Sequence, residues 1–170
     1  QVNKQFIINT PSKTAMKFWI GAAAQTASMS LIWAQLYIDS KCYGVHAFIV
    51  PIRDKQTYKL LPGVLIGDCG LKAGLNGVDN GFMLFDNVRI PKDNLLDKYS
   101  SIDDQGKFVT TIKNDEKRFG LQLSALSGGR FFIASNCSAL SLQALTIAIR
   151  YSNERRQFKG PKDTEEKKLI

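Results

Sequence analysis

Histidine is almost missing from this chain: His46 is the one imidazole in 170 residues. A single histidine builds no metal site by itself, and His46 lies inside the apolar run at residues 43–52. It is therefore read as a core residue rather than a catalytic base. Cysteine is scarce and odd in number. Cys42, Cys69 and Cys137 are spaced to fit neither a disulfide framework nor a zinc site, so no metal is expected and a reducing, intracellular compartment is favoured. No unbroken apolar run reaches the roughly 18 residues of a membrane span, so no span is expected. No signal peptide is expected. Internal repeats and low-complexity tracts are also missing.

Positive charge is present but diffuse. The net charge is +8, with 11 basic against 7 acidic groups in residues 1–98 and 12 against 8 in residues 99–170, which is +4 in each part. Even spreading points first to a solvated surface, and a small anionic ligand is as well served as a nucleic acid. The densest basic cluster is Glu154-Arg155-Arg156. At 44% hydrophobic residues the chain has enough apolar material for a real core.

The β signals come early. Gln5-Phe6-Ile7-Ile8 is a strand candidate closed by Asn9-Thr10-Pro11-Ser12, with residues 15–20 as its expected partner. Residues 28–38 fit a strand or a helix, and the β-rich context selects strand. Residues 43–52 read as a buried strand, and Arg53-Asp54-Lys55-Gln56-Thr57 as a hairpin loop. Glycines at 63, 67, 70, 74, 77 and 81 mark a backbone that turns often, with Asn76-Gly77 and Asn80-Gly81 as hairpin signals. No strand-then-helix context surrounds them, which excludes a Rossmann phosphate loop. Residues 82–86 and 88–90 read as the strand that ends this β region at Pro91. Polar residues 93–114 read as linker. From about Phe119 to Phe158, Ile133, Leu140, Ala144, Ile147 and Tyr151 recur at helical spacing, with Gly128-Gly129 weakening the helix or marking its start.

The whole is organised around Lys17-Phe18-Trp19-Ile20-Gly21-Ala22-Ala23-Ala24. An aromatic strand that stops at small residues sets a flat side chain beside backbone that a ligand can approach. The plain alternative is an ordinary strand end at a tight turn.

In order and spacing, several stretches together resemble the acyl-CoA oxidases and, more distantly, the acyl-CoA dehydrogenases, over essentially the full 170 residues. They are Lys17-Phe18-Trp19-Ile20-Gly21, Tyr43-Gly44-Val45-His46-Ala47-Phe48-Ile49-Val50, Asn76-Gly77-Val78-Asp79-Asn80-Gly81, Asp86-Asn87-Val88-Arg89-Ile90-Pro91 and Arg155-Arg156-Gln157-Phe158. The resemblance implies a mainly antiparallel β-barrel middle domain (residues 1–98), a linker (99–118) and the first long helix of a C-terminal helical bundle (119–170). It also implies a peroxisomal FAD-dependent enzyme that desaturates fatty acyl-CoA to the trans-2-enoyl-CoA and passes electrons to O2, forming H2O2.

By the same resemblance, Trp19, Ile20 and Gly21 line the flavin ring, with a backbone donor near its reactive nitrogen. Arg155, Arg156 and Gln157, with Phe158 beside them, reach the FAD of a neighbouring subunit in a homodimer. A fixed N–H aimed at the ring suits developing negative charge, and arginine's fork suits a diphosphate. Residues 155 and 156 also suit a helix-end cap, and Phe158 helix-end packing. Arg130 matches an arginine near the dehydrogenase acyl-CoA site, although Ser127 stands where an acid is usual. Glycine at 21, where dehydrogenases commonly carry threonine, leaves room for dioxygen. No catalytic base is assigned within the chain; the family's glutamate is expected beyond Ile170. The competing readings are a dehydrogenase that uses an electron-transfer flavoprotein, and a non-catalytic basic module.

Overall fold

The computed structural model describes residues 5–162 and 164–168. Two compact units follow one another, Gln1–Gly120 and Leu121–Ile170. The first is built of short antiparallel strands: β1 (Gln5–Ile8), β2 (Lys17–Gly21), β3 (Met29–Ile38), β4 (Lys41–Pro51), β5 (Val64–Asp68), β6 (Asn80–Phe85), β7 (Val88–Pro91), β8 (Ser101–Ile102) and β9 (Phe108–Val109). Helix α1 (Asp115–Leu123) begins in this unit and a 3-10 turn at Ser124–Leu126 follows it.

The β3–β4 hairpin is the longest ladder, running from Met29↔Pro51 to Ile38↔Lys41. Asp39 and Ser40 both have positive φ at its turn, which matches the right-handed twist of the strands it joins. Residues 28–38 are thus a strand, because Ile32 and Leu36 face the core while exposed residues alternate with them. In β6 the same alternation buries Gly81, Met83 and Phe85. Ile32, Phe48, Val50, Ile52, Met83 and Ile90 are almost fully buried and form one core with Leu36 and Phe85.

Several expectations change. Strand β1 pairs with β7 and not with residues 15–20; β2 pairs with β6, at the end of a β2–β6–β5 sheet. Residues 80–91 make two strands, since Asn87 at φ 50 turns the chain between β6 and β7. Asn80-Gly81 opens β6, and the tight turn falls at residues 75–78, around Asn76-Gly77. The expected barrel is not confirmed: no closed barrel is found among the described residues. Among these residues the strands form one three-stranded and several two-stranded antiparallel sheets, and the ladders are too short and too separate to complete a ring. Residues 99–118, read as linker, carry the β8–β9 hairpin and the first turn of α1.

The second unit contains α2 (Ser127–Glu154), then β10 (Arg156–Gln157) paired with β11 (Lys167–Lys168). The α2 start falls at Gly128-Gly129, one of the two outcomes the sequence allowed. From 131 to 149 the helix carries no charge. Within Asp115–Glu154 it is long and apolar enough to cross a membrane by length and composition, with mean hydropathy 1.5 over its most apolar window. An unbroken apolar run is not present because Ser135, Asn136, Ser138, Ser141, Gln143 and Thr146 interrupt it. The hydroxyls of Ser135, Ser138 and Thr146 donate back to the helix carbonyls of Phe131, Ala134 and Leu142, so those three add little polarity outward.

Candidate functional site

The residues of the 17–24 stretch converge on a kinked corner at the edge of a sheet. The β2–β6 register slips between Lys17 and Ile20, where Trp19 takes φ 63. Such a bulge re-aims one side chain and ends regular pairing. Trp19 is turned outward, 55% exposed. Phe18 lies 6.2 Å from its ring, and Lys72 Nζ sits 5.7 Å above it. Lys72 is held there by donating to Val78 O and Asn80 Oδ1.

Beyond the kink, Ile20 faces Gly81 and Gly21 faces Asn80. Ala22 N–H donates to Asp79 O at 2.8 Å, so by the alternation of an antiparallel ladder Gly21 directs its N–H away from β6, to the open side of the sheet. A Cβ added at Gly21 would meet no atom within 4 Å. The corner therefore offers an aromatic face, an outward backbone donor and free space. It closes on a second strained residue, Ala22 at φ 61. Each left-handed non-glycine residue costs about 1–2 kcal/mol.

Residues 22–27 are gripped from two sides. Asp79 Oδ1 accepts from Ala24 N–H, and Oδ2 accepts from Gln25 N–H, Thr26 N–H and the Thr26 hydroxyl, all at 3.0–3.1 Å. Arg53, 7% exposed, donates to Ala27 O at 2.6 Å and, through one nitrogen, to Ala23 O and Ala24 O at 2.9 and 2.7 Å. Lys17 Nζ donates to Trp33 O at 2.5 Å, tying β2 to β3, and its burial holds that amine below the usual lysine range.

Neither Arg53 nor Asp79 was singled out from the sequence as a site residue. Arg53 reads as part of a hairpin loop, and Asp79 stands only within the Asn76–Gly81 stretch that carries the resemblance. One signal is present for Arg53: it follows a buried, mainly apolar strand without a break, where burying a charge is costly unless hydrogen-bond partners are supplied.

Partial burial pushes the Asp79 carboxyl up, but the bonds from Gln25, Thr26 and Ala24 outweigh it and leave the group below the usual carboxylate range. A depressed acid stabilises the fold above its unfolded value, near 3.9, and that stabilisation is lost as pH falls through the lower folded value. Below pH ~4 the 22–27 turn should open, seen as a tryptophan fluorescence change that the Asp79→Asn variant lacks. A transition unaltered in that variant would count against this assignment.

His46 is fully buried as expected, with Nδ1 3.0 Å from Gly44 O; its Nε2 has no partner among the described residues, and burial lowers its pKa. Among the described residues no cluster of His, Cys, Asp and Glu is arranged to hold a metal.

The second unit holds the remaining candidates. Arg130 lies exposed in the first turn of α2. Arg155 caps that helix through its backbone, its N–H donating to Tyr151 O at 2.8 Å. Arg156 is a strand residue whose guanidinium is half exposed and paired with Glu165 at 3.3 Å. Gln157 follows it in the strand. Phe158, at φ 62, is 75% exposed, so helix-end packing does not describe it.

With this geometry in hand, likeness to known proteins is specific. Residues 123–170 match the family model described as acyl-CoA oxidase, C-alpha1 domain. The chain is 47% identical over 155 residues to acyl-coenzyme A oxidase 3, peroxisomal, of Arabidopsis thaliana, covering 91% of this chain and 23% of that protein. It superposes on the crystal structure of acyl-CoA oxidase 1 from Yarrowia lipolytica with a TM-score of 0.77 at 41% identity, over 98% of this chain and 23% of that one. Acyl-CoA oxidase-2 of Caenorhabditis elegans, bound with FAD, ascaroside-CoA and ATP, gives a TM-score of 0.78 at 33% identity, over 99% of this chain and 25% of that one. Antiparallel sheets followed by one long helix are thus an architecture shared with solved acyl-CoA oxidases. The chain belongs to the acyl-CoA oxidase family, and it spans about a quarter of the length of the relatives it matches.

Proposed function

We propose that this chain is part of a peroxisomal FAD-dependent acyl-CoA oxidase that converts fatty acyl-CoA to the trans-2-enoyl-CoA and reduces O2 to H2O2. One observation carries the reading: a strained edge corner, with Trp19 and the Gly21 N–H both turned outward, in a chain alike to acyl-CoA oxidases along its whole length. The residues present fit a flat ring, because an exposed aromatic face, a backbone donor and an unfilled space stand together.

FAD, when bound, supplies acceptance of a hydride from the substrate's Cβ. What this chain supplies is placement. Trp19 and Ile20 line the ring, and Gly21 N–H faces the negative charge that builds there, a fixed donor with no reorganisation left to make. Arg155, Arg156 and Gln157, with Phe158 beside them, would hold the diphosphate of a second subunit's FAD in a homodimer. Arg156 is suited to that exchange because its present partner Glu165 is 77% exposed, and an exposed pair of this kind is worth at most about 1 kcal/mol. Arg130 is assigned to the acyl-CoA. The carboxylate that removes the Cα proton is not assigned within residues 1–170.

The full-length protein should purify yellow, lose its colour when mixed with acyl-CoA under anaerobic conditions, and regain it in air with release of H2O2. Threonine at position 21 should fold, since a Cβ there meets nothing, and should slow the return of colour in air. A colourless protein that takes up no added FAD would overturn the reading. Bleaching without reoxidation in air would reassign the chain to dehydrogenases that pass electrons to another flavoprotein.

A further inference from the structure

We infer that Arg53 and Asp79 are positioning residues for the flavin-facing corner, locking residues 22–27 so that Gly21 keeps its N–H aimed outward. This rests on the proposed placement of FAD at that corner. The observation beneath it is independent of likeness to any relative. Two residues in left-handed backbone, Trp19 and Ala22, bracket Ile20 and Gly21, and such conformations persist only where surroundings over-determine them. The surroundings here are two side chains. Asp79 gathers three successive amides and one hydroxyl, while Arg53 gathers three carbonyls of the same six-residue turn.

Asp79 also anchors the other end of the corner, since its backbone carbonyl accepts from Ala22 N–H. One residue therefore sets both the last rung of the β2–β6 ladder and the path of the chain beyond it. Ala24 has both its N–H and its C=O committed to this grip. Among the described residues Arg53 has no carboxylate within 4 Å, so its charge is matched by backbone dipoles alone. A connection that served only to lead β2 into β3 would need neither a buried guanidinium nor two strained residues. A connection that must hold one amide at a fixed angle needs both.

The test uses the full-length protein, stripped of flavin and titrated with FAD. Arg53→Lys keeps the charge but loses the fork, and Asp79→Asn turns an acceptor into a donor facing amides. Each should weaken FAD binding by about tenfold or more and move the flavin midpoint potential to a more negative value, because the reduced ring loses an aimed donor. Amides 24–26 should exchange faster with solvent in both. If those amides exchange faster while FAD affinity and potential stay at wild-type values, the turn is only a connector and the inference fails. If wild-type protein binds no FAD, the placement of the flavin fails first and the inference falls with it. Should either variant not fold, Thr26→Val removes only the exposed hydroxyl that reaches Asp79 Oδ2 and Ala22 O and leaves the backbone grip in place. It should move affinity and potential the same way to a smaller degree, and wild-type values in that variant would overturn the inference.

Discussion

Replacing Gly81 by alanine lowers the stability of the full-length protein by about 3 kcal/mol, the upper part of the range for forced overpacking. The added methyl would stand 2.7 Å from Ala24 N, 2.9 Å from Gly67 O and 3.1 Å from Ala23 Cβ. Two of these neighbours are backbone atoms fixed in place. Gly67 is held in the β5–β6 ladder, and the Ala24 amide is committed to Asp79, so neither can retreat without breaking a hydrogen bond. Relief has to come from parting β6 from the 22–27 turn, which undoes the corner together with the sheet end. Thermal unfolding of Gly81→Ala should show a clear fall in Tm. Gly77→Ala, where a Cβ meets nothing within 4 Å, should melt like wild type. Equal melting of the two variants would mean that the approach of these backbones is not what requires glycine.

The second large effect lies at Arg118, 1% exposed although it is the largest fully buried side chain described. Its guanidinium donates to Tyr43 O at 2.5 Å, Ile112 O at 3.0 Å and Asp115 Oδ1 at 2.8 Å, and lies 5.2 Å from the Phe108 ring centre. Arg118→Leu fills much of the space but strands two carbonyls, and should cost about 3–4 kcal/mol. Asp115→Asn removes the charge of an acid that is 58% exposed but keeps an oxygen that can accept from Arg118, and should cost less than Arg118→Leu. Denaturant titration of both variants separates the two contributions. Comparable losses would show that the ion pair, rather than the carbonyls, ties α1 to β4.

Much of the β unit can be read from residue order: residues 43–52 form a strand where an apolar run places one, and residues 28–38 form one where the β-rich context selects it. The corner is legible at the level of residue types, an aromatic run ending in small residues. Which strand pairs with which is not. Choosing β7 over residues 15–20 as the partner of β1 depends on closing an 80-residue separation, and local propensity is silent on that. The grip of Arg53 and Asp79 is hidden for the same reason. Their partners lie 26 to 55 positions away, and six of the seven bonds end on backbone atoms, which carry no sequence signature. Left-handed backbone at Trp19 and Ala22 is also invisible in the letters, since neither residue type prefers it.

The kink in β2 has a consequence for the behaviour of the polypeptide in crowded solution. β2 is the outer strand of its sheet, and an outer strand that is straight invites a stray chain to add itself as the next rung, the first step toward fibrils. The broken register at Trp19 spoils that template, so the same kink that turns the Trp19 ring outward makes the strand a poor seed for runaway association.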